Sequence, residues 1–223
     1  MPAKGVGVKA IVVAGGDAAA EDAALLGAAD LVIAADSGAA WLEAVDRRPD
    51  LVVGDMDSIP PDLLSCLAAE GVAIESHPPD KDASDAELAV SRAVVAGADE
   101  VTILGAFGGL RLDHELANVM LLLTDGWRDA ELRLVRGGMT VRAVQGGRRL
   151  ELEGGVGDVV TLLPLGCDAT GVRTGGLRFH LDGETLHLGR SRGLSNVIEG
   201  APASVSLDGG ILLVIETRRE PGS

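Results

Sequence analysis

A chain of 223 residues, 47% of them hydrophobic, can bury a real core as one large domain or two small ones, which excludes a disordered protein. Its formal net charge of -15 repels phosphate backbones and argues against nucleic-acid binding; it suits a cationic small ligand or metal ions, or serves solubility alone. No apolar run reaches membrane-spanning length, the N-terminal run is too short for a signal peptide, and Cys66 and Cys167 have no metal-ligand spacing, so a cytoplasmic protein without membrane contact or disulfides is expected.

The first part of the chain alternates two kinds of segment. KAIVVAGG reads as a strand ending in glycines, AEDAALLGAA as a helix, DLVIAAD as a strand closing on Asp36, SGAAWLEAV as a helix and DLVVGD as the next strand. PPDLLSCLAAEG has prolines at its start and Gly71 at its end, which suits a helix. VAIESHP is a strand, SDAELAVSRAVVAG a helix, EVTILGA a strand, DHELANVMLLLTDG a helix, and ELRLVRG closes the series. Strands that are apolar throughout and spaced by helices predict an α/β domain with a mostly parallel sheet covered on both faces. Ligands of such sheets bind beyond the carboxyl ends of the strands.

After about residue 140, RRLELEGG, DVVTLLPLG, GLRFHLDGETLHL and ASVSLDGGILLVIET alternate apolar and polar residues. Asp182-Gly183 and Asp208-Gly209 stand between alternating runs, a strong hairpin signal. The expected organisation is an α/β domain over 1–138 and an all-β sandwich over 139–223.

Four clusters carry chemistry. Asp36 ends one strand, and Asp55 and Asp57 follow another; in a parallel sheet they share one edge. Carboxylates crowded there raise one another's pKa unless a cation neutralises them, and hard oxygen ligands suit Mg²⁺. Asp57 or Ser58 could instead cap the helix beginning at Pro60 or Pro61, but capping needs only one of the acids. In PPDKDASDAELAV, Ser84 and Glu87 fit a capping box. Asp80, Lys81, Asp82 and Asp85 crowd the same turn; Asp85 also suits the helix dipole, and Lys81 could contact a phosphate. ILGAFGGLRLDHELANVMLL runs from a strand through a glycine-rich turn, where backbone N–H groups could meet phosphate, although Gly-Lys-Ser/Thr is missing. Arg111 is its candidate phosphate clamp. GRSRGLSNVIEG offers Ser195 and Asn196 as hydrogen-bonding groups.

Together ADSGAAWL, PDLVVGDMDSI, PPDKDASDAELAV, GAFGGLRLDHELANVMLL and TGGLRFHLDGETLHLGRSRGLSNVI resemble the thiamine pyrophosphokinase (thiamine diphosphokinase) family, in that family's order and across residues 35 to 198. The resemblance implies diphosphoryl transfer from ATP to the hydroxyl of thiamine, giving thiamine diphosphate and AMP, in a homodimer with active sites at the subunit interface. It implies a nucleotide-binding catalytic domain followed by a thiamine-binding sandwich. Carried over by position, Asp55, Asp57 and Asp85 hold Mg²⁺, and with Asp113 they form the catalytic set. Asp36, Lys81, Asp82, Arg111 and Asp113 serve the nucleotide, and Ser195 and Asn196 reach the thiamine. Asp85 and Asp113 are the candidate acceptors of the hydroxyl proton.

The chain departs from the family's pattern in three places. Ala40 stands where an asparagine is common, Leu110 adds a residue before Arg111, and Val197 replaces an acid common in bacterial members. Trp41 is a stacking candidate whose favoured role is packing. Two other readings share these features: a Mg²⁺-dependent diphosphotransferase acting on another alcohol, with SRGLSN shaping a different pocket, and a non-catalytic ligand-binding homologue.

Overall fold

The computed structural model describes residues 7–109, 111–127 and 130–219. The chain divides into two compact units, residues 1–137 and 138–223.

The first unit carries strands β1 (Val8–Val13), β2 (Leu31–Ala35), β3 (Leu51–Gly54), β4 (Ala73–Ser76), β5 (Ala98–Leu104) and β6 (Glu131–Arg136). They lie in the order β6-β5-β1-β2-β3-β4, and every pairing is parallel. Helices α1 (Gly38–Ala44), α2 (Pro61–Ala69), α3 (Asp85–Val95) and α4 (Leu112–Leu121) lie in the four crossovers after β2, β3, β4 and β5. The central strands are buried on both sides: Val12, Ile33, Val52, Val53, Val101 and Ile103 are almost inaccessible to water. That is why they read as continuous apolar runs instead of alternating ones. The small buried face of α3 (Ala86, Ala89, Val90, Ala93) lets the helix approach the sheet closely in a chain with few aromatics.

Local signals explain most boundaries. Pro61 opens α2, where its missing N–H costs nothing, and Gly71 follows the helix at φ +84°. Ser84 caps α3 by accepting the Glu87 N–H at 3.2 Å. The expected helix in AEDAALLGAA is instead a 3₁₀ helix, Ala20–Ala28. Its buried Asp22 accepts the Ala19 N–H at the helix start and the Gly137 N–H from far along the chain, at 2.8 Å each.

The second unit is a β-sandwich. Its strands are β7 (Met139–Gln145), β8 (Arg149–Glu151), β9 (Val159–Pro164), β10 (Ala169–Gly175), β11 (Asp182–Leu186), β12 (Asn196–Val197), β13 (Ser204–Ser206) and β14 (Ile211–Thr217). One sheet has the order β12-β9-β14-β7 and the other β11-β10-β13-β8, antiparallel throughout. Val144, Val160, Leu162 and Leu212 of the first meet Val172, Leu186 and Val205 of the second in one core.

Both expected hairpin turns are corrected. Asp182 and Gly183 lie inside β11, and the reversal from β10 falls on residues 176–181. There Gly176 takes φ +71°, and Thr174 Oγ1 accepts the Leu181 N–H at 2.9 Å. Asp208-Gly209 joins β13 to β14, which belong to different sheets, so it is a corner and not a hairpin. The Thr170 carbonyl accepts both the Asp208 and Gly209 N–H groups there.

Candidate active site

Beyond the carboxyl ends of the first unit's strands lies a cleft of ≈ 680 Å³. Asp36, Asp55, Asp57, Lys81, Asp82, Asp85, Arg111 and His114 all line it.

Asp36 follows β2, and Asp55 and Asp57 follow β3, as parallel strand ends place them. One carboxylate oxygen from each lies within 4.8 Å of the others. The turns that achieve this are strained: Asp36 has φ +45° and Met56, between the other two acids, has φ +67°. Left-handed backbone at non-glycine residues costs free energy and concentrates at functional sites. Asp55 Oδ1 accepts the Asp57 N–H at 3.2 Å, and the Ser58 hydroxyl donates to Asp57 Oδ1 at 2.8 Å.

Asp36 is 9% exposed, and its Oδ1 has no hydrogen-bond partner among the described residues. Burial pushes its pKa up, and the Asp85 and Asp55 charges add to that, against hydrogen bonding from the Ser58 side chain and the Ser37 backbone. A buried, unsatisfied carboxylate oxygen beside two other carboxylates is costly without a cation. The donor set, three hard oxygen ligands at the mouth of a cleft, fits Mg²⁺.

This group differs by one member from the set Asp55, Asp57 and Asp85. Asp85, at the start of α3, stands next to it: a Cβ built on Gly54 would lie 3.0 Å from Asp36 Cβ and 3.3 Å from Asp85 Oδ1. Asp85 Oδ1 is paired with Lys81 Nζ at 3.0 Å, and the same ammonium is 3.9 Å from Asp55 Oδ2.

Two backbone turns floor the cleft, one after β1 (Ala14 to Asp17) and one after β5 (Gly105 to Gly109). Ala14, Gly16 and Asp17 donate to the carbonyls of Leu104, Gly105 and Phe107 at 2.8, 2.9 and 2.7 Å. A Cβ on Gly16 would lie 2.5 Å from the Phe107 carbonyl oxygen, so only glycine allows the turns to approach this closely. Glu115 and Asn118, unremarked as site residues in the sequence, line the same cleft from α4.

Arg111 donates to Asp113 from Nε at 2.9 Å and from Nη2 at 2.5 Å, with both side chains exposed. The guanidinium holds Asp113 well below the usual carboxylate range. Asp113 is not among the residues lining the cleft. Leu110 lies outside the described residues. Trp41 packs half-buried against the first unit's core, which is the packing role.

Ser195 and Asn196 belong to the second unit. Ser195 is exposed at φ +55°, its N–H bonded to Thr161 Oγ1 at 3.2 Å. Asn196 is buried, and its amide is consumed by backbone. Its Oδ1 accepts the N–H groups of Phe179 and Val197 at 2.9 Å each, and its Nδ2 donates to the Phe179 carbonyl at 2.8 Å. Phe179, held through both its N–H and its C=O, is 60% exposed. Its sequence signal was slight: one of two phenylalanines in a chain with 2% aromatics.

Fold and site together define a class: a parallel α/β domain with an acidic, glycine-floored cleft, followed in the chain by a β-sandwich. The family description "Thiamin pyrophosphokinase, catalytic domain" matches residues 23–134, and "Thiamin pyrophosphokinase, vitamin B1 binding domain" matches residues 149–212. The chain belongs to the thiamin pyrophosphokinase family, and it is an enzyme that makes thiamine diphosphate. It is 28% identical over 182 residues to thiamine pyrophosphokinase 1 of Oryza sativa subsp. japonica, covering 77% of this chain and 67% of the relative. The chain thus spans about two thirds of the length of that plant relative. It is 25% identical over 187 residues to the thiamine pyrophosphokinase of Bacillus subtilis, covering 84% of this chain and 87% of the relative. In fold it is similar to the crystal structure of the Bacillus subtilis thiamine pyrophosphokinase, with a TM-score of 0.83 at 24% identity over 95% of this chain and 100% of that one. It is likewise similar to the thiamin pyrophosphokinase of Candida albicans, with a TM-score of 0.80 at 16% identity over 94% of this chain and 90% of that one. Among the described residues no helix is long and apolar enough to cross a membrane.

Proposed function

We propose that the first unit's cleft binds ATP with Mg²⁺ and that the second unit supplies the thiamine contacts. The thiamine hydroxyl oxygen bonds to the β-phosphorus. The bond from that phosphorus to the bridging oxygen breaks, AMP departs with the electron pair, and the hydroxyl proton passes to a base. This chemistry needs positioning and charge neutralisation more than covalent help from the protein.

Asp36, Asp55 and Asp57 would hold the Mg²⁺, with Asp85 beside them, and the bound ion would neutralise charge on the phosphates. The glycine turns let backbone approach the phosphates closely. Lys81 and Arg111 add positive charge along the cleft, and Asp82 shares its wall. Of the two expected proton acceptors we favour Asp85. It lines the cleft, whereas Asp113 does not. In the second unit the exposed Phe179 ring offers stacking and cation–π contact to the thiazolium, and exposed Ser195 offers a hydroxyl.

A homodimer belongs to this reading. Leu112, Leu116 and Met120 stand exposed at i, i+4 and i+8 of α4, an apolar stripe that association would bury; light scattering tests it. We place the enzyme in the cytoplasm, where the exposed free thiols of Cys66 and Cys167 stay reduced.

The single observation that carries the reading is the three-carboxylate group with a buried, unpartnered Asp36 oxygen. Incubation with ATP, Mg²⁺ and thiamine should release AMP and thiamine diphosphate in equal amounts, and a chelator should stop both. AMP release indifferent to thiamine would reject thiamine as the acceptor, and turnover indifferent to the chelator would reject the metal.

A further inference from the structure

Glu115 is out of place by charge. It puts a carboxylate on the wall of a cleft that, on the reading above, takes the triphosphate of ATP, where like charge repels. Its bonding supplies a reason. Glu115 Oε1 accepts the Gly108 N–H at 3.0 Å, and one helical turn on, buried Asn118 Nδ2 donates to the Ala106 carbonyl at 2.9 Å. The two residues, three apart, share the face of α4 turned toward the 105–109 turn, while Leu112, Leu116 and Met120 point elsewhere and are exposed. They therefore grip the turn once by a donor and once by an acceptor, two residues apart.

The turn needs such a grip. Gly105, Gly108 and Gly109 all have left-handed φ (+64°, +86° and +93°), and glycine loses more conformational freedom on ordering than any other residue. Among the described residues its other backbone bonds run to the turn after β1, itself built on Gly15 and Gly16. Two glycine turns bonded to each other fix their mutual spacing but not their place over the sheet. The bonds from α4 supply that second anchor, because α4 is a regular helix.

We propose that Glu115 and Asn118 are positioning residues for the transfer reaction: through Gly108 N–H and Ala106 C=O they lock the 105–109 turn in the arrangement that receives the nucleotide phosphates. Neither needs to touch the reacting atoms. Their effect is on nucleotide capture and not on thiamine capture. This rests on the assignment of ATP to the cleft.

The test compares Glu115→Ala and Asn118→Ala with Glu115→Gln, which keeps an acceptor at Oε1. Amide exchange at 105–109 is measured in the free enzyme, with KM for ATP and for thiamine and with thermal unfolding to confirm folding. Loss of the bonds should speed exchange of the turn at least tenfold and raise the ATP KM roughly 10- to 100-fold. The thiamine KM should stay within about twofold, and Glu115→Gln should restore exchange and ATP KM toward wild type. Unchanged exchange in Glu115→Ala overturns the anchoring. Faster exchange with an unchanged ATP KM overturns the positioning role. If ATP fails to protect the turn in the wild-type enzyme, the assignment of the cleft to ATP falls instead, and the exchange of the free variants still reports on the anchor.

Discussion

Lys81 Nζ sits 3.0 Å from Asp85 Oδ1, and the Lys81 side chain is only 14% exposed. The lysine thus stands as a fixed cation among acids. Burial works to lower its pKa, but Asp85, Asp55 and Asp36 outweigh burial and raise it. With the folded value above the ordinary one, its stabilisation is fully present at neutral pH and is lost only as pH rises past the ordinary lysine range.

Replacing this cation should therefore leave the acids to repel one another. Lys81→Met is expected to lose about 1–3 kcal/mol of stability at pH 7, and roughly 2–4 °C of Tm for each kcal/mol. Mg²⁺ should restore part of that loss, because the ion neutralises the same carboxylates. Thermal unfolding with and without Mg²⁺ measures both effects. An equal Mg²⁺ shift in wild type and variant would show that Lys81 and the metal site are uncoupled.

Asp57 is the most exposed member of the carboxylate group. Asp57→Asn keeps its shape and removes its charge, so stability should stay within about 0.5 kcal/mol. Turnover should fall on the order of 10²–10³, the usual cost of losing one good electrostatic stabiliser. AMP release under saturating substrates checks this, and full activity would take Asp57 out of the metal site.

Asp36 should behave in the opposite sense to a stabilising ion pair. Its pKa is raised in the fold by burial first and by neighbouring acids second, so the fold favours its protonated form. The linkage is then destabilising for the ionised group: absent below pH 3.8, and complete once pH exceeds the folded value. Asp36→Asn should raise the Tm of the metal-free protein at neutral pH, roughly 2–4 °C for each kcal/mol relieved. The gain should vanish in acid, and turnover should be lost. Mg²⁺ should stabilise the wild type much more than the variant. A lower Tm for the metal-free variant at pH 7 would contradict the crowding of charge at this site.

Most of the first unit was legible because its physics is local. Buried parallel strands must be apolar throughout, helix ends need caps such as Ser84 or breakers such as Gly71, and parallel strand ends bring Asp36, Asp55 and Asp57 to one edge. The sandwich was harder to read. MTVRAVQ and ATGVRTG, now β7 and β10, have weak alternation; β7 gains its place beside the distant β14, and β10 between β11 and β13. The two Asp-Gly pairs misled for the same reason: the signal reports a tight turn or a left-handed residue, and pairing is decided by which strand lies alongside. The clamps of Glu115, Asn118 and Asn196 were hidden because each joins a side chain to the backbone of a separate turn, and sequence spacing carries no sign of its partner.

Asn196 and Phe179 provide a means of separating a structural from a binding role. The Asn196 amide is buried and makes three bonds to backbone, two of them to Phe179, which is exposed. Removing the amide leaves the Phe179 N–H and C=O without their partner, so Asn196→Ala should cost about 1–3 kcal/mol of stability. Phe179→Ala removes only an exposed ring and should leave stability within about 0.5 kcal/mol. If the ring stacks on the cationic thiamine, Phe179→Ala should raise the thiamine KM about 3- to 30-fold with the ATP KM unchanged. Asn196→Ala should raise the thiamine KM by a similar factor, because it frees the same ring, and the double variant should be little worse than either single one. Additive increases in KM would instead give Asn196 a thiamine contact of its own, and an unaltered KM in Phe179→Ala would remove the ring from the substrate site.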